Sequence, residues 1–329
     1  MADIRAFRVF EGGKFGTGRF ASIASDGLDA GDVVVRSQFA SVNYKDAMTA
    51  LGRAKFVNRF PCTVGIDVCG EVVESADSRF APGDCVFTHG LGLGADHDGG
   101  YQEINRFPAD WLLKVQEPLT AFETAAIGVA GYTAALSVDL MELNGLAPGK
   151  GKVLVNGATG GAGSIAIDLL AARGYEVVAL SGKPEAADYL RSLGAAEVID
   201  RRTFEFGTRA LEKPLWHGAV DSVGGEQLAW LARSMQVDGV IAAFGNAGGV
   251  EFKGSVLPYI LRGVRLIGVY ANSPLPLRTR IWQRLATDLR PRHLERIARR
   301  IRFDDLPQAF DDLMAAKVVG RMVVDFSLG

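Results

Sequence analysis

The sequence has 329 residues, a length that exceeds one ordinary hydrophobic core and suits two domains. Hydrophobic residues make up 48% and charged residues 22%, which is the composition of a soluble globular protein. The formal net charge of -2 gives no general electrostatic basis for binding nucleic acid or an anionic membrane, so we expect neither partner.

The cysteines and the N-terminal residues favour a cytoplasmic location. The three cysteines (Cys62, Cys69 and Cys85) are too few, and odd in number, for a disulfide framework. The N-terminal segment lacks the apolar core of a signal peptide. We find no apolar run approaching the ~18–20 residues that span a bilayer. We therefore expect a cytoplasmic protein.

Residues 1–120 are predicted to be rich in β-strands. The segments DVVVRSQFASVN and GEVVES are short β-branched runs, and the turn Pro82-Gly83-Asp84 leads into a further strand. From about residue 121 the pattern changes to apolar strands that alternate with helices. The strands are KVLVNG, EVVALSG, AEVID, GAVDSVG, GVIAAFG and VRLIGVY; GSIAIDLLAARG is a helix, and Pro184 opens another.

This pattern predicts an α/β fold with two domains. Apolar strands separated by helices indicate a parallel sheet that is buried on both faces, here over residues 121–289. Residues 1–120 form the other domain. The C-terminal segment LPQAFDDLMAAKVVGRMVVDF is a helix followed by a strand, which breaks the alternation. We expect about residues 290–329 to complete the first domain.

A glycine loop follows the strand KVLVNG and opens the next helix. Ala158, Gly160 and Gly163 fall on the G-x-G-x-x-G frame of dinucleotide-binding loops, with alanine in the first position. At the second position glycine lets the backbone approach a pyrophosphate, and at the third it lets the helix pack closely on the strand. The helix N-terminus offers N–H groups to the anion. The alternative is a glycine-rich turn that binds no ligand.

The end of the next strand distinguishes NAD from NADP. An NAD site normally has an acidic residue there, which binds the ribose 2′-hydroxyl. This sequence has Ser181, Gly182 and Lys183 instead, and Arg201 follows the strand AEVID. A hydroxyl and positive groups favour a 2′-phosphate, so we predict NADPH. The alternative is that Lys183 and Arg201 are solvated loop residues.

We predict no metal site. The four histidines and three cysteines lack the spacing of zinc ligands, and there is no Cys-x-x-Cys motif. His89 and His97 lie in a glycine-rich loop and are interpreted as ordinary polar residues. No Ser-His-Asp or Cys-His arrangement indicates a hydrolase.

Six segments in this order resemble one enzyme family over the whole chain: SVNYKDAM, FPCTVGIDVCGEVVES, VAGYTAALSV, VLVNGATGGAGSIAIDLL, GAVDSVGG and GRMVVDF. Together they resemble the zinc-free quinone oxidoreductase branch of the medium-chain dehydrogenase/reductase superfamily. The similarity is greater to the bacterial acrylyl-CoA reductases and their quinone oxidoreductase relatives. Where zinc-dependent relatives have Gly-His-Glu, this chain has Gly65-Ile66-Asp67.

The resemblance implies a GroES-like β-barrel catalytic domain and a Rossmann domain that binds NADPH. It also implies cofactor contacts at Tyr44, Thr159, Gly160, Gly161, Ala162, Gly163, Ser181, Gly182, Lys183, Arg201, Asn246, Ile260, Ala271 and Lys317.

Reduction of an activated C=C bond needs donors for the developing enolate oxygen and a proton for the α-carbon. Asn43, Tyr44 and Lys45 place an amide, a phenol and an ammonium on one short segment. Tyr44 is our candidate to orient the nicotinamide or to pass the proton; the alternative is a buried tyrosine with a satisfied hydroxyl. Asp67 either orients these groups or only binds backbone.

Three hypotheses for function remain open. The first is an NADPH-dependent acrylyl-CoA reductase, with Arg53, Lys55 and Arg59 available to the phosphates of CoA or simply solvated. The second is NADPH-dependent reduction of a quinone or free enone, and the third is an NADPH-binding protein without turnover. We also expect a homodimer through the apolar strand VRLIGVY, because an uncovered edge strand invites association.

Overall fold

The structure, a computed structural model, describes residues 3–328. The predicted domain limits at residues 1 and 329 lie outside the described residues. The chain divides into two compact units. The first unit contains residues 3–129, 272–279 and 298–328, and the second contains residues 130–271 and 280–297.

The secondary structure of the described chain is as follows. The strands are β1 (Ile4–Phe10), β2 (Thr17–Ile23), β3 (Val33–Ser41), β4 (Cys62–Thr63), β5 (Asp67–Ser75), β6 (Cys85–His89), β7 (Ile104–Phe107), β8 (Leu113–Lys114), β9 (Lys152–Asn156), β10 (Val177–Ser181), β11 (Ala195–Asp200), β12 (Trp216–Asp221), β13 (Met235–Ala243), β14 (Arg265–Gly268), β15 (Ala298–Ile301) and β16 (Arg321–Asp325). The α-helices are α1 (Tyr44–Ala50), α2 (Ala121–Leu143), α3 (Gly161–Ala172), α4 (Ala187–Ser192), α5 (Gly225–Ser234), α6 (Leu257–Arg262), α7 (Leu275–Ala286), α8 (Leu294–Ile297) and α9 (Leu306–Met314).

Two β-sheets build the first unit. The larger has the strand order β15-β16-β3-β5-β6-β8, with β7 paired to β3, and the smaller has the order β2-β1-β4. Val33 and Val35 of β3 enter the buried core at the period of two that a strand imposes. Helix α9 closes the core with Leu306 and Phe310, which lie one helical turn apart on the same face.

A parallel sheet forms the second unit. Its order is β11-β10-β9-β12-β13-β14, which is the Rossmann order 3-2-1-4-5-6, and each neighbouring pair is parallel. Every residue of β10 and β12 is buried, as expected for strands covered on both faces. The predicted α/β fold with a doubly wound parallel sheet is therefore confirmed.

Two local predictions need correction. Asn43, Tyr44 and Lys45 lie at the start of a helix, α1, within a region predicted as strands. The helix predicted to open at Pro184 begins as a 3-10 turn, Pro184–Ala186, and becomes α-helical only from Ala187.

The expectation that no apolar segment reaches membrane-spanning length was wrong for α2. This helix is long and apolar enough by length and composition alone, and 83% of its most apolar window is buried. A helix inside a protein core passes the same test. Alanines and glycines, rather than long aliphatic side chains, make up much of the run, which is why the sequence pattern hid it. The backbone leaves helical geometry at Gly128, with φ 49 and ψ -159, so α2 is kinked there.

Candidate active site and dinucleotide site

Helix α1 carries the segment that was predicted to hold catalytic groups. Tyr44 is its first residue and is 41% exposed, so it is not the buried tyrosine of the alternative interpretation. Lys45 is also exposed, and its Nζ lies 5.5 Å from the centre of the Phe56 ring. Asn43 and Asp67 are buried. The four predicted residues therefore divide into an exposed pair and a buried pair.

Asp67 is the centre of a buried hydrogen-bond network. Its Oδ1 accepts the backbone N–H of Ser41 at 2.8 Å. Its Oδ2 accepts the Ser41 hydroxyl, the Asn43 amide at 3.2 Å and the backbone N–H of Val129 at 3.1 Å. Asp67 thus binds side chains as well as backbone, and it ties the end of β3 to the start of α1 and to the kinked part of α2.

Asp46 is a second buried carboxyl group, and the sequence analysis missed it. Its Oδ2 accepts the backbone N–H of Asn43 at 3.0 Å and lies 3.0 Å from the Tyr101 hydroxyl. Burial, together with the neighbouring Asp67, raises the pKa of Asp46 to about 7, against the lowering effect of its hydrogen bonds. Because Asn43 directly precedes Tyr44, these contacts fix the start of the helix from which Tyr44 projects.

Arg321 brings a positive charge into this network, and the sequence analysis missed it as well. Its side chain is buried, and Nη2 donates to the Ser41 hydroxyl, which in turn donates to Asp67. Burial lowers the pKa of the Arg321 guanidinium, while the nearby Asp67, Tyr101 and Asp46 oppose this shift. Two hydrogen bonds through the Ser41 hydroxyl therefore link a guanidinium on β16 to a carboxyl group on β5.

Gly128 leaves room for the network. A Cβ at this position would lie 2.7 Å from both Asp67 Oδ2 and Ser41 Oγ, and the φ of 49 favours glycine. The kink of α2 is thus the point at which the helix approaches these two polar groups.

We expect the titration of Asp46 to lower stability as the pH rises. Folding raises the pKa of this carboxyl from 3.8 to about 7, so within this window the folded state holds a proton that the unfolded state has lost. The free energy of unfolding should then fall by up to ~1.4 kcal/mol per pH unit. Asp46→Asn should lack this slope, and Asp188→Asn, at a fully exposed carboxyl, should keep it. Denaturation at several pH values measures the slopes; the same slope in wild type and Asp46→Asn would contradict the assignment.

The glycine loop joins β9 to α3, and Gly160 is the N-cap residue of that helix. A Cβ on Gly163 would lie 2.5 Å from the carbonyl oxygen of Gly157, so glycine at 163 lets the helix pack closely on the loop. The residue with positive φ is Gly157, at 56, and not Ala158 in the first place of the frame. Thr159 is buried beside them. The first turn of α3 presents N–H groups that have no partner within the helix, which suits an anion.

Strands β9 and β12 are neighbours, and the chain leaves them towards opposite edges of the sheet. At their carboxyl ends Asn156 donates its amide to Asp221 and accepts the N–H of Ser222 at 2.8 Å. Burial raises the pKa of Asp221. Open α/β sheets bind ligands at such a switch point, and the glycine loop begins here. These three residues were not predicted, since their pairing joins positions about 65 residues apart.

The residues predicted to distinguish NADP from NAD lie at the ends of β10 and β11. Ser181 and Asp200 are register partners, and the backbone N–H of Arg201 donates to the Ser181 carbonyl at 2.8 Å. The Ser181 hydroxyl is buried and accepts the N–H of Lys183 at 3.0 Å. Burial lowers the pKa of Lys183. The fold thus brings Ser181, Gly182, Lys183 and Arg201 to one corner of the sheet.

The remaining predicted cofactor contacts are spread over both units. Asn246 is exposed after β13, Ile260 is exposed on α6, and Ala271 ends the main segment of the second unit. Lys317 belongs to the first unit, where its Nζ lies 3.9 Å from the Asp312 carboxyl group. Their contact with a dinucleotide stays a prediction.

Two family models match the chain. One is described as the alcohol dehydrogenase GroES-like domain and matches residues 29–117; the other is described as zinc-binding dehydrogenase and matches residues 161–287. Within residues 3–328, no group of three or more His, Cys, Asp or Glu side chains is arranged to hold a metal ion. The donor set of the described chain therefore does not fit the zinc in the second description.

Curated relatives match nearly the whole chain. YhfP of Bacillus subtilis, which carries the provisional name quinone oxidoreductase, is 43% identical over 92% of this chain and 93% of its own. The acrylyl-CoA reductase AcuI of Ruegeria pomeroyi is 42% identical over 91% of each chain.

Solved structures agree with this similarity. YhfP with NAD bound has a TM-score of 0.95 at 40% identity and covers 99% of this chain and 100% of its own. The YhdH oxidoreductase of Salmonella enterica in complex with NADP has a TM-score of 0.94 at 38% identity and covers 98% and 99%. The chain therefore belongs to the medium-chain dehydrogenase/reductase superfamily, in the subgroup that contains the quinone oxidoreductase-like proteins and the acrylyl-CoA reductases.

Proposed function

We propose that this chain reduces the C=C bond of a 2-enoyl-CoA with NADPH, and that it converts acrylyl-CoA to propionyl-CoA. The observation that carries the proposal is the 42% identity to AcuI over 91% of both chains. The broader activity is that of an NADPH-dependent oxidoreductase, the class to which the relatives of known name belong. The alternative substrate is a quinone or free enone, which the provisional name of YhfP favours.

The residues of the second unit fit a dinucleotide with a 2′-phosphate. Gly160 is not crowded, since the nearest atom to a Cβ built there is the Gly157 carbonyl oxygen at 3.2 Å, and it caps a helix of 12 residues. Lys183 and Arg201 would face the 2′-phosphate, and no acidic residue occupies positions 181–183. YhfP was solved with NAD, so the glycine loop alone does not decide between the two cofactors.

When bound, NADPH supplies the hydride that the β-carbon of the substrate gains. The chain must supply a proton to the α-carbon and donors to the thioester oxygen as it becomes an enolate. Tyr44 is 41% exposed and its hydroxyl can serve in either role, and its backbone is held by the buried contacts of Asn43 and Asp46. Asp67 acts through Asn43 and Ser41, and so is assigned a positioning role.

The phosphates of CoA require positive groups. Arg53 and Lys55 are exposed and suit this role, whereas Arg59 forms ion pairs with Asp29 and Asp98 and is committed to the first unit. We therefore do not include Arg59 among the groups that would bind the phosphates of CoA.

A substrate panel tests the proposed function. We expect kcat/KM with acrylyl-CoA to exceed that with a simple quinone and with a free enone by at least ~10²-fold, because CoA adds binding groups that the smaller substrates lack. A higher value for the quinone would replace the proposal by the alternative. No NADPH oxidation with any of the three would favour a binding protein without turnover.

We expect Tyr44→Phe to lower kcat by ~10²-fold while the fold survives. The change removes one hydroxyl from an exposed residue and little volume, so a large kinetic effect must come from that group. Tyr175→Phe is the matched control, because its hydroxyl binds Glu142 in the second unit, and it should keep kcat. Steady-state kinetics and melting temperatures check both variants; unchanged kinetics for Tyr44→Phe would remove Tyr44 from the mechanism.

We also propose a homodimer formed through the open edge of the parallel sheet. β14 is an edge strand, and the second unit has large apolar side chains with exposed fractions between 63% and 80% in this region of the sequence: Val250, Val256, Ile260, Leu261 and Tyr270. Pairing with a second copy would cover both the edge and the side chains.

Light scattering at micromolar concentration should give twice the 35.1 kDa mass of the chain. Leu261→Glu should shift the mass towards the monomer, and Leu143→Glu, at another exposed leucine of the second unit, should not. A monomeric wild type would contradict the proposal.

A further inference from the structure

Gly182 lies where the backbone does not require glycine. Its φ is outside the left-handed region, so an alanine would fit the local conformation. The need for glycine is one of space. A Cβ built on Gly182 would lie 2.9 Å from Nη2, 3.3 Å from Nε and 3.5 Å from Cζ of Arg201. Three atoms of one guanidinium are thus close to the position of a Cβ, and Nη2 and Nε are nearer to it than Cζ, so the group presents its Nε–Nη2 edge to Gly182.

The main chain of Arg201 is fixed at the same point. Its N–H donates to the Ser181 carbonyl, one residue before Gly182, and Ser181 is paired in register with Asp200. The backbone of Arg201 is therefore fixed by pairing, and the space beside Gly182 then determines where the Arg201 guanidinium lies.

The neighbouring charges leave Arg201 available. Asp200, the nearest acid in sequence, is bound by Arg202, with Nη2 to Oδ2 at 2.8 Å and Nε to Oδ1 at 3.1 Å. Within residues 3–328 the guanidinium of Arg201 has no hydrogen bond or ion pair of its own. An exposed guanidinium held in one orientation is suited to bind an anion through two N–H groups.

We propose that Gly182 is a positioning residue for cofactor preference: its lack of a side chain leaves room for the edge of the Arg201 guanidinium beside the backbone, where that group binds the 2′-phosphate of NADPH. This rests on the proposed use of NADPH. Gly182 then acts through Arg201 instead of touching the cofactor itself. A Cβ at position 182 displaces the end of a flexible side chain and not the backbone, so the fold tolerates the change while the guanidinium loses its place.

The test measures nucleotide binding without turnover, by calorimetry with 2′,5′-ADP and ADP as probes. Wild type should bind 2′,5′-ADP at least about tenfold more tightly than ADP. Gly182→Ala should lose most of this preference and leave ADP binding unchanged. Gly254→Ala is the matched control, because its Cβ would meet only the Phe252 ring at 3.5 Å, and it should behave as wild type.

A double-mutant comparison separates positioning from a general structural effect. Gly182→Ala should add no further loss to Arg201→Ala, because the group that it seats is already gone. In an Arg201→Lys background Gly182→Ala should cost less than in wild type, since an ammonium is a compact charge on a flexible stem. Additive losses, equal losses for both probes, or a full preference in Gly182→Ala would overturn the inference. A wild type without preference would overturn the NADPH site as well, and none of these results depends on the enoyl-CoA substrate.

Discussion

Replacing Lys183 by glutamate is expected to lower kcat/KM for NADPH by ~10²- to 10³-fold and to change kcat/KM for NADH by less than about threefold. The two cofactors share the pyrophosphate on the glycine loop and differ only at the 2′ position. A charge-assisted hydrogen bond contributes ~1.5–3 kcal/mol, and repulsion by the new carboxylate adds to its loss. Burial lowers the pKa of Lys183, and a facing phosphate would favour its charged form.

Lys213→Glu is the control for this experiment. Lys213 is an exposed lysine of the same unit outside the predicted cofactor contacts, and the substitution makes the same change of charge. Its ratio of kcat/KM values for NADPH and NADH should match that of wild type. A wild type that prefers NADH, or an unchanged ratio in Lys183→Glu, would show that the 2′-phosphate lies elsewhere.

The Arg321→Met variant is expected to lose about 3–5 kcal/mol of unfolding free energy. Methionine keeps much of the volume but removes the buried guanidinium that donates to Ser41, which in turn donates to Asp67. A buried carboxylate left without its counter-charge accounts for a loss of this size. Adding Asp67→Asn should recover part of it, since the uncompensated charge is then removed as well.

Arg302→Met is the matched control. The Arg302 side chain is 53% exposed and its Nη2 lies 3.8 Å from Asp304, so its loss should cost less than about 1 kcal/mol. Urea denaturation of the four proteins gives the comparison. Similar losses for Arg321→Met and Arg302→Met would mean that the buried hydrogen bonds from Arg321 through Ser41 to Asp67 contribute little to stability.

The parts of the fold that follow local patterns were predictable. Apolar runs such as KVLVNG and EVVALSG became the buried strands β9 and β10, and GSIAIDLLAARG became α3. A strand that is buried on both faces requires a continuous run of apolar residues, and such a run can be recognised from the local sequence alone. Helix α1 was missed since its seven residues give too little periodicity to identify a helix.

The candidate site was predictable only in part. Asn43, Tyr44 and Asp67 stood in recognisable motifs, but Ser41 and Arg321 are 280 residues apart, and Asp46 and Tyr101 are 55 apart. Nothing in a single sequence indicates such pairs, because the strand pairing that joins them is a property of the tertiary fold. In the glycine loop the positive φ lies at Gly157, one residue before the first position of the frame, and the sequence analysis did not single out this residue.

Gly182 also shows that a motif does not reveal the tertiary contacts of its residues. The family resemblance implies that Gly182 contacts the cofactor, and this contact stays a prediction. In the structure the space above its α-carbon is filled by the Arg201 guanidinium. The sequence alone does not show that the Arg201 guanidinium lies against Gly182; this requires the structure.

The most direct test of the central claim follows deuterium from labelled NADPH into the product. The enzyme is supplied with acrylyl-CoA and with NADPH deuterated on both hydrogens at C4 of the nicotinamide, and the product is analysed by mass spectrometry and NMR. We predict propionyl-CoA with one deuterium, located on the β-carbon, formed in a one-to-one ratio with NADP⁺, and with the α-carbon proton derived from water. Deuterium on the α-carbon, or consumption of NADPH with a quinone but not with acrylyl-CoA, would contradict the proposed reduction of a 2-enoyl-CoA.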